Sequence, residues 1–372
     1  MAERSAVIGI GQTKLDAKRL DVSQVGLVRE AAKRALEDAE LEWKDIDAVV
    51  IGKAPDMFEG VMMPELWLND ALGGAHKPML RVHTAGSVGG STAVVANSLV
   101  KAGIHETVLT VAYEKQSESN AMWALSIGLP FQQSVVAGAG GFFAPLIRGY
   151  IQRSGAPEDT GIRVALKDRR NALKNPYAHL KIPDISFEMI QGSPMLWAPI
   201  CFLESCPSSD GACAMVIGNE ERARASAKPV AWVHATAMRT EPTMFAGRDQ
   251  VNPKAANDAA AAVYKAAGIA KPRQEIDCAE IYVPFSWFEP MWMESFGIAE
   301  MGQGWKIKDE GATEIGGDFP VNMSGGVLSS NPIGASGMLR FAEAALQVRG
   351  LAGEHQVDGA RKALGNAYGG GS

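Results

Sequence analysis

The stretch RVHTAGSVGGSTAVVANSLVKAG, from Arg81 to Gly103, sets Ser87 and the glycines Gly86, Gly89 and Gly90 directly before a run of small and apolar residues at helical spacing. A glycine-rich loop opening a helix aims free backbone N–H groups and the positive end of the helix dipole at one spot. Such a spot stabilises an anion or a developing oxyanion. Ser87 stands where a nucleophile or a hydrogen-bond donor would stand. His83, four residues earlier, reads either as a base or donor beside it or as a core histidine at the end of a strand. A second loop of the same kind opens residues 331–350, NPIGASGMLRFAEAALQVRG, with Gly334 and Gly337 before another helical run, and Gly325 and Gly326 lie just upstream. Two helix N-termini are thus available to one reaction.

Other chemistries are weaker. GIGQTK carries Gly9 and Gly11 but lacks the third glycine and the later acidic residue of a dinucleotide fold. Cys201 and Cys206 have no nearby second pair of Cys or His to complete a tetrahedral zinc site, so no metal is assigned. The stretch FSWFEPMWMESF, residues 285–296, is rich in Trp, Phe and Met; at helical spacing it reads first as a core face, and otherwise as a wall for a bulky acyl group, with Trp287 its central ring. Trp123 and Trp197 are further candidates for that wall.

The elements that must position these loops alternate. Short β-branched runs, SAVIGIG, IDAVVIG and TVLTVAYE, are separated by alanine-rich helical segments, which is the pattern of an α/β fold with strands buried on both faces. The pattern then repeats. REAAKRALEDAEL leading to IDAVVIG has its echo in AANDAAAAVYKAAGI leading to IDCAEIYVPF, and each glycine-rich loop and helix closes on a terminating glycine, Gly103 or Gly350. The chain therefore reads as two similar halves, residues 1–225 and 226–372, with a proline- and aromatic-rich excursion at about 115–205 in the first half. That excursion is expected to cover a substrate.

At 372 residues, 47% apolar and 21% charged, the chain is long enough for one large core or two ordinary domains. A net charge of −6, spread without blocks of one sign, gives no bulk attraction for nucleic acid. The longest apolar run, 135–147, holds 13 residues, short of the roughly 18–20 that span a bilayer, and reads as buried helix or loop. Four cysteines and no signal-peptide pattern place the chain in the cytoplasm.

The duplicated halves, ESCPSSDGACAMVIGNEERA, EIYVPFSWFEPMWMESFG and VNMSGGVLSSNPIGASGMLRFAEAALQVRG together resemble the thiolase superfamily over essentially the whole chain. The nearest subgroup is that of the sterol-carrier-protein-type thiolases and lipid-transfer proteins, which includes steroid side-chain aldolases. The resemblance implies a duplicated αβαβα five-layered fold, a homodimer, acyl-CoA as substrate with no bound cofactor, and a small zinc-containing OB-fold partner that binds the acyl-CoA. It also implies a final central strand, which GGGS at the end of this sequence leaves either missing or supplied otherwise.

Four thiolase positions carry different residues here. Ser87 stands at the nucleophilic cysteine, Tyr282 at the Asn or His of the second motif, Asn331 at the activating histidine, and Ala367 at the acid/base cysteine, with Tyr368 beside it. A serine without that histidine is a poor acyl acceptor. The aldolase members of the superfamily use tyrosines in place of the cysteine pair, which singles out Tyr282 and Tyr368 in this chain. Retro-aldol cleavage of a β-hydroxyacyl-CoA, in lipid or steroid degradation, is the activity this implies. Acyl transfer through Ser87 and a non-catalytic acyl-CoA- or lipid-binding scaffold are the alternatives. A tyrosine is expected to act as base or acid only if a helix N-terminus or a neighbouring cation lowers its pKa from about 10.

Overall fold

The computed structural model describes residues 4–54, 60–119, 138–242 and 247–369. The first half is built on a mixed sheet of β1 (Ser5–Gln12), β2 (Ala48–Gly52), β3 (Met79–Val82), β4 (Thr107–Lys115), β5 (Asp210–Asn219) and β6 (Ala231–Trp232). Its order is β3-β2-β4-β5-β1-β6, with β2 parallel to β3 and β4, and β5 antiparallel to β4 and β1. Residues Ala231–Trp232 pair with Ala6 and Val7, so the chain just past residue 226 extends the first sheet.

Strand periodicity explains why both faces of this sheet are covered. Val49 and Ile51 join Leu109, Val111, Ala214 and Val216 against helix α1 (Gln24–Ala39), whereas Ala48 and Val50 join Val108 and Ile217 against α2 (Val88–Lys101). Helix α1 starts where Ser23 accepts a hydrogen bond from the Gly26 N–H, and α2 gives way at Gly103, which takes a φ of +68°. Gly103 is the terminating glycine read from the sequence.

Helix α7 (Ile333–Arg349) lies beside α2 under the first sheet. Its opposite side carries β7 (Cys278–Glu280) and β8 (Ala363–Gly365), which pair in parallel, with Val321 bridged to Ala279. Beyond them pack α5 (Lys254–Ala267) and α6 (Phe288–Ser295). The order α1, sheet, α2 with α7, second sheet, α5 with α6 gives the five layers expected of a duplicated fold. Among the described residues the second sheet is much the smaller.

The excursion departs from expectation. It forms α3 (Gly138–Ser154), α4 (Thr160–Ala172) and a short hairpin, Met195–Trp197 with Ile200–Cys201. Helix α4 is a core element. Lys167, Asp168, Arg169 and Asn171 are all buried in it. Lys167 Nζ meets Glu289 at 2.6 Å, Asp168 at 3.1 Å and the Val321 carbonyl at 2.8 Å, so its charge is satisfied inside the protein. Residues 138–147 of the longest apolar run belong to α3, and 135–137 lie outside the described residues, as does Trp123. No helix among the described residues is long and apolar enough to cross a membrane.

Candidate functional site

The two glycine-rich loops do converge. A methyl group built on Gly89 would lie 2.6 Å from the Met338 nitrogen and 2.9 Å from the Gly334 oxygen, and one on Gly337 would lie 2.6 Å from the Gly90 nitrogen. The first turns of α2 and α7 therefore touch backbone to backbone, which no larger residue allows. Gly334 also seats α7 on the end of β4, where a methyl would lie 2.3 Å from the Tyr113 oxygen. Gly89 and Gly334, read as substrate-binding positions, serve this close approach. Across the junction runs the segment 366–369: the Ala367 methyl fills the space beside Gly90 and Gly337, and Gly369 lies on Gly86.

Ser87 is buried at this junction. Its hydroxyl donates to the Thr84 carbonyl at 2.7 Å, with the Thr84 hydroxyl at 3.1 Å, and the turn that allows this holds Ala85 at a φ of +52°. The proton of a nucleophile must pass to a base, and here it is directed to a carbonyl. His83 is not a core histidine: it lies one residue past β3 and is exposed. Gly325 and Gly326, read as substrate-binding positions, have a conformational role. With φ values of +88° and +60°, they shape a buried turn in which Gly325 packs on Ala172 of α4 and Gly326 on the Asn322 side chain. Trp287 is fully buried, edge-on to Tyr150 at 6.4 Å, and belongs to the core face. Trp197 packs on Gly140 of α3.

Tyr282, Asn331 and Tyr368 are brought to the junction. The backbone N–H of Tyr282 donates to Asn366 Oδ1 at 3.0 Å and its carbonyl accepts from Trp292 Nε1 at 2.7 Å, which fixes the residue between β7, α6 and the chain end. Its phenol sits beside Ser336 in the first turn of α7. The Asn331 amide is held from both sides: Oδ1 accepts from Ser336 Oγ at 2.7 Å, and Nδ2 reaches Cys206 Sγ at 3.1 Å. The Asn331 backbone N–H donates to Ser209 Oγ at 3.0 Å, and that hydroxyl meets His179 Nδ1 at 2.8 Å. The ring of Tyr368 stands edge-on to Trp292 at 5.0 Å, with Phe288 at 5.9 Å and Phe143 at 6.2 Å. Phe288 and Trp292 belong to the buried core, and Phe143 and Tyr368 pack against it, so the stretch 285–296 forms a core face here.

The electrostatics run against a tyrosinate. Burial pushes the Tyr282 phenol well above its ordinary value, and Cys206 and Tyr368 add to the rise, against the opposing pull of Arg340 and Ser336. Burial likewise raises Tyr368, with Arg248 opposing it and Glu241 adding to it. The lowered tyrosine that the helix N-termini could have produced is not found, because desolvation outweighs the dipole. Both phenols stay protonated at neutral pH.

Beneath the site, Arg340 of α7 pairs with the Glu280 carboxylate of β7, which also accepts from the Ser324 N–H at 2.9 Å and hydroxyl at 2.8 Å. Arg169 of α4 donates to the Leu203, Ser205 and Leu328 carbonyls and so ties the Cys206 loop to the Asn331 loop. Asp210, in the motif Asp210-Gly211-Ala212, accepts from Ser117 and from the Arg19 N–H, which orders the chain after β4. Sequence reasoning did not assign Cys206, Ser209, His179 or Ser336, although ESCPSSDG and GASG were both quoted motifs. Among the described residues no group of three or more His, Cys, Asp or Glu could hold a metal ion.

Residues 237–372 match the family described as thiolase C-terminal domain-like. An acetyl-CoA acetyltransferase of Methanothermobacter thermautotrophicus is 29% identical, over 98% of this chain and 96% of its own length. Human sterol carrier protein 2 is 27% identical, over 97% of this chain and 69% of its own. Among solved structures, one titled as an Ltp2-ChsH2(DUF35) aldolase superposes with a TM-score of 0.86 at 26% identity, covering 98% of this chain and 95% of its own.

Proposed function

We propose that the chain, which is similar to the thiolase superfamily and its lipid-transfer and aldolase subgroup, cleaves the carbon–carbon bond next to the thioester of a β-hydroxyacyl-CoA by a retro-aldol reaction. One observation carries this reading: where the α2 and α7 N-termini meet there is no thiol on the α2 loop, the Ser87 hydroxyl donates to the Thr84 carbonyl, and Tyr282 stands beside Ser336, which holds Asn331.

In such a reaction the substrate hydroxyl loses its proton, the Cα–Cβ bond breaks, and its electron pair becomes a thioester enolate whose α-carbon must then be protonated. The backbone N–H groups of the two helix starts suit the enolate oxygen. A phenol whose anion is disfavoured works by exchange, accepting the substrate proton as it hands on its own. Tyr282 is placed for that. The ring cluster of Tyr368, Trp292, Phe288 and Phe143 suits a bulky acyl group such as a steroid side chain. A zinc-containing OB-fold partner that holds the acyl-CoA belongs to the same reading, since the aldolase of similar structure is titled as a complex with a DUF35 component.

Replacing Tyr282 with Phe should lower turnover on the order of 100-fold or more, the usual scale of acid–base catalysis, while acyl-CoA binding persists. Turnover within a few-fold of wild type would remove Tyr282 from the mechanism. A second reading, acyl transfer, is favoured by the acetyltransferase relative. It requires an acyl-enzyme, visible as a mass increment on Ser87 during single turnover.

A further inference from the structure

The retro-aldol reading leaves the enolate α-carbon without an acid, because Ala367 occupies the position of the acid/base cysteine of a thiolase. We infer that Cys206, arriving from a different part of the fold, is the group that protonates this carbon, with Tyr282 restoring its proton. Cys206 is half-buried, whereas Cys201, Cys213 and Cys278 are buried. Its sulfur lies 3.1 Å from Asn331 Nδ2, and it is near enough to Tyr282 for its charge to raise that phenol.

The surroundings suit a thiol that must briefly become an anion. Asn331 Nδ2–H is aimed at the sulfur and cannot swing away, because Ser336 holds the other end of the amide at 2.7 Å. Arg169, itself buried, sits behind the loop; its Nη groups are spent on the Leu203, Ser205 and Leu328 carbonyls, and its Nε–H has no partner among the described residues. Burial pushes the thiol up to about 11, against the opposing effects of Asn331 and Arg169. Cys206 is therefore a proton-bearing acid at neutral pH.

The step balances without net charge. The substrate hydroxyl gives its proton to the Tyr282 oxygen as that phenol gives its own proton to Cys206 Sγ, and the Cys206 S–H proton goes to the α-carbon. The Cα–Cβ electron pair forms the new C–H bond, and the β-oxygen becomes a carbonyl. A relay in which neither group remains ionised fits a site where burial disfavours both ions.

The test isolates the α-carbon step. The full chain is incubated with propionyl-CoA in D2O, and deuterium entering the α-position is followed by mass spectrometry for wild type, Cys206→Ala and Cys206→Ser. Wild type should exchange, and Cys206→Ala should slow exchange on the order of 100-fold or more. Cys206→Ser preserves a partner for Asn331 but is a far weaker acid, so it should also lose most of the exchange. Thermal melts and propionyl-CoA binding identify any variant that has lost its fold, and Cys206→Ser is the milder of the two. Absence of exchange in wild type, wild-type exchange in Cys206→Ala, or full rescue by Cys206→Ser each overturns the assignment. Cys206-dependent exchange in a protein that fails to cleave β-hydroxyacyl-CoA would sustain the acid and discard the retro-aldol reading.

Discussion

Ser87 shows how one hydrogen bond separates two chemistries. Its position at the start of α2 is that of a nucleophile, yet its hydroxyl donates to Thr84. Ser87→Ala is accordingly expected to keep carbon–carbon cleavage within about threefold of wild type, an effect far below that of losing a catalytic acid or base. Steady-state rates on a β-hydroxyacyl-CoA provide the check, and a loss of 100-fold would return Ser87 to the mechanism. The places of Ser87, Tyr282 and Asn331 were legible because each lies in a motif next to a glycine-rich or strand-end signal. Cys206 was not, since its contact with Asn331 joins residues 125 apart and depends on how Arg169 ties two loops together. The ionisation of Tyr282 was also beyond the sequence, because it is set by burial and by neighbours from three other segments.

At the level of elements, the junction of α2 and α7 is the device that brings both helix starts to one place. Gly89→Ala puts a methyl 2.6 Å from the Met338 backbone nitrogen, and neither helix can yield without disturbing the sheet it covers. The variant should lose about 1–3 kcal/mol, as overpacked cores do, measured by urea unfolding, and activity should fall with it. Unchanged stability would mean that the helices are free to part. Strands β1, β2 and β4 and helices α1 and α2 were readable from periodicity and a terminating glycine, whereas β3 and β5 were not. Helix α4 was read only as part of the excursion over a substrate, because nothing local in KDRRNALKN shows the buried partners Glu289, Asn322 and the loop carbonyls that make it a core segment.

For the molecule as a whole, α7 is pinned between the sheets by buried charge. On one side Arg340 holds Glu280, and on the other Glu343 accepts from Gln12 Nε2 at 2.7 Å and meets His355 Nε2 at 2.9 Å. Burial pulls His355 down, but its bond to Glu343 and the nearby charges outweigh this and leave it raised; the same pairing leaves Glu343 lowered despite burial. A raised histidine stabilises the fold fully below its unfolded value of about 6.5 and loses that contribution as pH climbs through its folded value. The lowered Glu343 contributes above the usual carboxylate range and loses its share as pH falls. Melting temperature should therefore decline on the alkaline side of neutrality, and His355→Gln should be less stable at pH 6 with a flatter alkaline limb. An unchanged pH profile in that variant would show that the pair does not govern it. Two similar halves were read from the repeated helix-to-strand pattern and five layers were implied by the family resemblance, but the unequal sheets were not legible, because a short strand and a longer one share the same local signature.

The central claim is most directly tested by product analysis of the purified protein, alone and with a co-purified partner, on matched β-hydroxyacyl-CoA and β-ketoacyl-CoA substrates with and without free CoA. Cleavage of the hydroxy compound to a carbonyl product and a shortened acyl-CoA, with no added CoA, is the predicted result. Cleavage confined to the keto compound, and only when CoA is supplied, would contradict it and make the protein an acyltransferase.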